Sequence, residues 1–202
     1  ETNAIPDRIV QEMKDLGLFG LSISEDYGGL GLTMEEEALV ILEMGRTSPA
    51  FRSTFGTNVG IGSQGIVMFG NSDQKRDWLP RLASGEVVAS FALTEPESGS
   101  DAGSAKTKAV KDGNHYVLNG SKMWISNAPI ADVFVVWAKS EAHGGKIKGF
   151  VLDKGTKGLS APKIGGKLSL RSSITGEIVM DNAEVGEDAL LPHVEGLKGP
   201  FG

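Results

Sequence analysis

At 202 residues, with 40% apolar and 23% charged side chains, the chain is long enough for one large domain or two small ones around a real core. A net charge of −6, with no cluster of Lys and Arg, argues against a nucleic-acid surface. The lack of cysteine excludes disulfides, thiolate metal ligands and a cysteine nucleophile, and His115, His143 and His193 show no ligand spacing, so no metal site is expected. No apolar run reaches the length of a membrane span and no signal-peptide pattern opens the chain, so membrane insertion is not expected. Glycine is abundant, 28 residues, and scattered among apolar runs, which points to many turns.

The first ninety or so positions read as helical. Pro6 suits a first helical turn, Ile9, Val10, Met13 and Leu16 recur at helix spacing, and Gly17 is a stop signal. Ser24 to Gly31 is a glycine-rich loop. Thr33 with Glu36 forms a capping box opening a second helix, in which Ala38, Leu39, Ile41, Leu42 and Met44 alternate by three and four. Pro49 to Phe69 reads as a longer helix of small residues. Another helix begins at Ser72 and closes near Gly85, with Trp78, Leu79 and Leu82 on its apolar side.

From Val87 the pattern changes to short extended runs: 87–93, 106–110, 115–118, 133–138, 148–152, 159–161 and 177–180. Between them stand the turn pairs Asp112-Gly113, Asn119-Gly120 and Gly144-Gly145. Gly113, Gly120 and Gly149 are expected at hairpin turns with positive φ. Helices followed by strands predict an α+β protein. The expected division is a helical part over 1–88, a β part over 89–195, and the start of a linker over 196–202. A chain that begins with Glu1 and stops at Gly202 reads as a segment of something longer.

Gly60-Ile-Gly-Ser-Gln-Gly65 matches the dinucleotide pattern GxGxxG, but the residues before it are not a Val/Ile-rich strand. Its glycines are expected to serve close helix packing instead.

Two stretches carry the chemistry. Phe91-Ala-Leu-Thr-Glu-Pro-Glu-Ser-Gly-Ser-Asp101 runs from an apolar strand into small hydroxyl residues and glycine, and offers amides and hydroxyls to a polar ligand. Lys122-Met-Trp-Ile-Ser-Asn127 sets an aromatic plate beside hydrogen-bonding groups. Read alone, the first could be an ordinary turn-rich loop and Trp124 a core aromatic. Together they suggest a site for a flat heterocycle, whose polar atoms would partner Ser126 and Asn127.

The two stretches closely resemble the paired signature of the acyl-CoA dehydrogenases. Glu25-Asp-Tyr-Gly-Gly-Leu-Gly31, Asp73-Gln-Lys-Arg-Asp-Trp-Leu-Pro80, Val117-Leu-Asn-Gly120 and Leu170-Arg-Ser-Ser-Ile-Thr-Gly176 look like the family's other landmarks, in order. The resemblance implies a helical N-terminal domain, an antiparallel β-barrel or sandwich middle domain, and a C-terminal helical bundle that this chain lacks. It implies FAD as cofactor and oxidation of the Cα–Cβ bond of an acyl-CoA, with electrons passed to an electron-transfer flavoprotein. By the same resemblance Phe91, Leu93, Thr94 and Ser100 line the flavin, with Thr94 on the pyrimidine end. Trp124 stacks on the ring, Ile125 lies beside it, Ser126 sits near N5, and Ser100 also meets the CoA arm.

Arg52, beside Ser53, resembles the arginine that glutaryl-CoA dehydrogenases use to bind a distal carboxylate, a task suited to a guanidinium fork. Ala131-Asp-Val-Phe-Val-Val-Trp-Ala-Lys139, Lys157-Gly-Leu-Ser-Ala-Pro162 and Gly196-Leu-Lys-Gly-Pro-Phe-Gly202 also look glutaryl-like, whereas the first ninety residues resemble a broader branch. The family's catalytic base is a glutamate of the C-terminal domain, so no catalytic residue is expected here, and the chain alone is expected to be inactive and to retain FAD weakly or not at all. The resemblance further implies a homo-oligomer, a tetramer in the family, located in the cytoplasm of a bacterium or the mitochondrial matrix of a eukaryote. The other readings are a short-chain acyl-CoA dehydrogenase of another branch and a non-catalytic module that binds flavin or CoA.

Overall fold

The computed structural model describes residues 3–202. Five helices come first: α1 (Asp7–Asp15), α2 (Met34–Met44), α3 (Pro49–Thr57), α4 (Ser63–Phe69) and α5 (Ser72–Ala83). The strands follow as β1 (Ala89–Ala92), β2 (Lys108–Asp112), β3 (His115–Ser126), β4 (Val133–Ser140), β5 (Lys146–Asp153), β6 (Leu159–Ser160) and β7 (Thr175–Gly186), before a last short helix, α6 (Lys198–Phe201). The α+β order read from the sequence is therefore the order of the fold.

The helix boundaries have local causes. Thr33 and Glu36 make the expected capping box, with the Glu36 carboxylate accepting from the Thr33 amide at 2.8 Å. Asn71 and Gln74 make a second one at the start of α5, and the Gln74 side-chain amide also donates to the carbonyls of Asp188 and Leu190 at 2.7 and 3.0 Å. Along α2, Val40, Ile41 and Met44 pack inward, while Leu39 and Leu42 are exposed.

The long helix expected over 49–69 is broken by a π turn at Asn58–Gly62. The π turn brings Asn58 onto β1: its Nδ2 donates to the carbonyls of Leu82 and Val87, and its Oδ1 accepts from the Ala89 amide at 2.8 Å. A Cβ on Gly62 would lie 2.6 Å from that of Ala89 and one on Gly65 3.2 Å from Val135 Cγ1, so these glycines permit close packing, as expected.

The strands form one seven-stranded sheet in the order β1-β4-β2-β3-β7-β6, with β5 on the other edge of β4. Among the described residues four of its six strand pairings are antiparallel, in keeping with the expected middle domain, and two are parallel. β4 runs parallel to β1 (Phe91↔Val135) and to β2 (Lys108↔Lys139), because the β2–β3 hairpin intervenes and returns the chain to start β4 at the end where β1 starts. β4 is buried on both faces, and alternation sorts its side chains. Val133, Val135 and Trp137 meet Ile66, Leu79 and Leu82 of the helices, while Phe134, Val136 and Ala138 join Leu118, Phe150, Leu152 and Ile178 on the opposite face.

Two turn expectations are corrected. Gly113 does turn the β2–β3 hairpin, but Asn119-Gly120 lies inside β3, where the pairing shifts register between Leu118 and Gly120. The 115–118 run thus continues to Ser126 as a single strand, and the 177–180 run extends to Thr175–Gly186 opposite it. Gly149 has no positive φ; it lies within β5, where a Cβ would stand 2.7 Å from Leu191 Cδ1 and 3.0 Å from Trp137 Cζ3. Gly149→Ala is expected to destabilise the fold by about 1–3 kcal/mol through overpacking, read as a lower urea midpoint at unchanged slope.

Candidate functional site

The second irregularity of β3 builds the site. Lys122 pairs with Ile178 and Ile125 with Gly176 of β7, so Met123 and Trp124 together face Glu177 alone. This is a β-bulge, a device that re-aims side chains. The Met123 amide turns away from β7 and donates to the carbonyl of Thr94 at 2.9 Å. Trp124 takes a left-handed backbone, φ +63°, and its indole stands out from the sheet at 62% exposure. For a bulky residue this conformation costs about 1–2 kcal/mol.

Beneath the bulge lies a buried ion pair. Lys122 is fully buried, and its ammonium donates to Glu95 Oε1 at 2.8 Å and to the Leu93 carbonyl at 3.1 Å. The Glu95 carboxylate also accepts from the amides of Lys106 (2.6 Å) and Thr107 (3.0 Å) and from the Thr107 hydroxyl (2.5 Å). Burial pushes the Glu95 carboxyl pKa up, but the hydrogen bonds of Lys122, Thr107 and Lys106 and the charge of Lys122 together outweigh it and hold it below the ordinary value. Burial pushes the Lys122 ammonium down, against the pull of Glu95.

The sign for acid stability follows from the carboxylate. With a folded pKa below the unfolded value near 4.3, the ionised Glu95 stabilises the fold above that pH, and this is lost as pH falls through the folded value. Urea midpoints taken between about pH 6 and about pH 3 should fall more steeply for the parent than for Glu95→Gln/Lys122→Met; parallel curves would refute it.

Above the pair, Phe91, Leu93, Thr94, Trp124, Ile125 and Ser126 converge on one cleft of about 170 Å³, completed by Thr57 and Ile61. Six of the seven residues expected to line the flavin thus meet there. The hydroxyls of Thr94 and Ser126 have no hydrogen-bond partner among the described residues. Apolar walls, an exposed indole and two free hydroxyls fit a flat heterocycle with polar edges. Trp124 and Ser126 also border a second cleft of about 470 Å³ with Ser53, Lys167, Leu170 and Thr175.

Ser100 is exposed on the loop after β1 and lies outside both linings. Arg52 is exposed and outside them too, its guanidinium against Gly56, with no ion pair or hydrogen bond among the described residues. Asn127 is corrected: its Nδ2 donates to Ser53 O, Thr54 O and Thr57 Oγ1, so the end of α3, not a ligand, satisfies it.

Sequence reasoning missed Thr57 and Ile61, which only the π turn brings to the cleft, and it assigned no role to Glu95 or Lys122. A signal for the pair existed: alternation along β3 places Lys122 on the inward face with Tyr116 and Leu118.

A helical layer packed on one face of a mixed sheet, with an aromatic-walled cleft where β1 and β3 meet, is the architecture of a flavoprotein dehydrogenase fold. The chain belongs to the acyl-CoA dehydrogenase family: the family's N-terminal domain matches residues 1–86 and its middle domain residues 90–183. It is similar to a probable acyl-CoA dehydrogenase of Bacillus subtilis, 44% identical over 93% of this chain and 31% of that protein. It is also similar to the human mitochondrial very long-chain specific acyl-CoA dehydrogenase, 41% identical over 91% of this chain and 30% of that protein. A glutaryl-CoA dehydrogenase from Mycobacterium smegmatis, solved in complex with FADH2, superposes with a TM-score of 0.93 at 37% identity, covering 99% of this chain and 51% of that one. The chain thus spans from 30% to 51% of the length of these proteins.

Proposed function

We propose that this chain is the flavin-holding part of an FAD-dependent acyl-CoA dehydrogenase acting on a glutaryl-CoA-like thioester, with electrons passed to an electron-transfer flavoprotein. The observation that carries this reading is the convergence of Phe91, Leu93, Thr94, Trp124, Ile125 and Ser126 on one cleft. FAD bound there supplies the hydride acceptor for oxidation of the Cα–Cβ bond. Trp124 offers its face to the ring, Thr94 and Ser126 offer free hydroxyls to its polar edge, and Phe91, Leu93 and Ile125 exclude water. Ser100, exposed nearby on the same loop, is left for the CoA arm.

The α-proton needs a free carboxylate. Glu95 is committed to Lys122 inside the protein, and Glu97 is paired with Lys106 on the surface. Following the family resemblance, we place the base in the part of the relatives that this chain does not span, and expect no turnover from these residues alone. We also assign residues 1–88, 89–195 and 196–202 to the helical domain, the β domain and a linker, and a tetramer as the working assembly. Bacterial and mitochondrial relatives fit a cytoplasmic or matrix enzyme respectively.

Titrating FAD into the 15N-labelled chain tests the site. Shifts centred on Thr94, Trp124, Ile125 and Ser126 are expected at weak affinity, and shifts centred elsewhere would discard the reading. Tight FAD retention with bleaching by acyl-CoA would overturn the placing of the base.

The glutaryl assignment rests on the unpartnered guanidinium of Arg52 beside Ser53, which lines the second cleft. Hydrogen bonds to charged groups are worth about 1.5–3 kcal/mol, so Arg52→Gln should weaken glutaryl-CoA binding about tenfold or more. Butyryl-CoA should be little affected; equal losses would favour another short-chain branch. Because no free carboxylate lines the flavin cleft, a non-catalytic flavin or CoA module stands as the second reading. Turnover on reconstitution with the remaining length of a relative would separate it from the enzyme.

A further inference from the structure

We infer that the buried Lys122–Glu95 pair sets the left-handed conformation of Trp124, which makes both charged residues positioning residues for the aromatic wall of the cleft. A tryptophan with φ +63° persists only where its surroundings over-determine it. On the far side of Trp124, Ile125 is buried and Asn127 is tied to the end of α3 through three acceptors. On the near side, the Lys122 ammonium bridges the Leu93 carbonyl and Glu95, and the Met123 amide reaches the Thr94 carbonyl.

Glu95 cannot follow a movement of Lys122, because Lys106 and Thr107 hold its carboxylate from the other side. The extra residue of β3 is thus trapped between two fixed points, and Trp124 absorbs it. An apolar side chain at 122 would fill the same inward position but would leave the bulge at Met123 and Trp124 free to relax, with the rest of β3 held in register by its buried face. Setting register is the best-attested use of a buried ionic group. The arrangement also explains why the two motifs carry an acid and a lysine that take no part in the chemistry: they join the strand exits that form opposite walls of one cleft.

The test uses the whole 202-residue chain, with the backbone NMR shifts of Trp124 as reporter and FAD titration as a second arm that rests on the flavin reading. Glu95→Gln/Lys122→Met removes both charges at similar volume, so it should unfold at a temperature close to the parent's. Its Trp124 shifts should move from left-handed to extended values, and its FAD affinity should fall about tenfold. A pair that serves stability alone would give the reverse: lower stability, with Trp124 still left-handed and FAD affinity within about twofold, which would overturn the inference.

Should the double variant fail to fold, Glu95→Asp shortens the carboxylate's reach while keeping its charge. A second set of Trp124 signals is expected there, and a single unchanged set would refute the assignment. If FAD shifts the parent's signals elsewhere than at this cleft, the flavin reading fails, and the Trp124 backbone comparison still decides this one.

Discussion

Lys122→Met, with Glu95 left in place, should lower the stability of the chain by about 3–5 kcal/mol, because it strands a carboxylate inside the protein. Lys122 is fully buried and Glu95 is only 6% exposed, so water cannot replace the lost ammonium without opening the sheet. For a chain of this size each kcal/mol moves the melting temperature by about 2–4 °C, so a loss of about 10 °C is expected by calorimetry. Adding Glu95→Gln should restore most of it, since a neutral amide can still accept from Lys106 and Thr107. Failure of that rescue would mean that the stranded carboxylate is not the source of the loss, which would then lie in the hydrogen bond from the ammonium to the Leu93 carbonyl. The exposed pairs Arg8–Glu12 and Arg76–Asp73 give the contrast: solvent screens them, and breaking either should leave the melting temperature little changed.

Trp124→Gly should separate function from stability. The indole buries little, and glycine adopts positive φ freely, so relief of about 1–2 kcal/mol of strain offsets the entropy that glycine loses. Urea stability should therefore be unchanged or slightly higher. FAD affinity should fall about tenfold, because the cleft loses its aromatic wall. Trp124→Phe keeps a smaller plate and should fall between the two. A variant that lost stability together with affinity would show that Trp124 packs as a structural residue, contrary to its exposure.

Much of this was legible in the residues. The switch from helical to alternating periodicity placed the strands after the helices, and the Thr33–Glu36 box marked α2. The two motifs named six residues that now share a cleft. What stayed hidden depends on partners distant in sequence. Asn127 looked like a ligand-binding amide because nothing local shows that α3 ends beside it. Gly149 looked like a turn because a glycine that makes room for Leu191 and Trp137 has the same letter as one that needs positive φ. The parallel pairing of β4 with β1 joins residues such as Ala89 and Val133, for which no local pattern exists. Trp124 was recognised as a plate, but its backbone conformation follows from a bulge that only the register against β7 reveals.

The cluster in which Ile66, Leu79 and Leu82 meet Val133, Val135 and Trp137 has a consequence for cooperativity. Neither layer has a complete interior without the other, and Asn58 and Gln74 fasten the helices to β1 and to the segment after β7. The chain should therefore melt in one transition even though two domains of the family meet within it. A proteolytic cut in the segment between α5 and β1 would yield two halves with exposed apolar faces, not two stable domains.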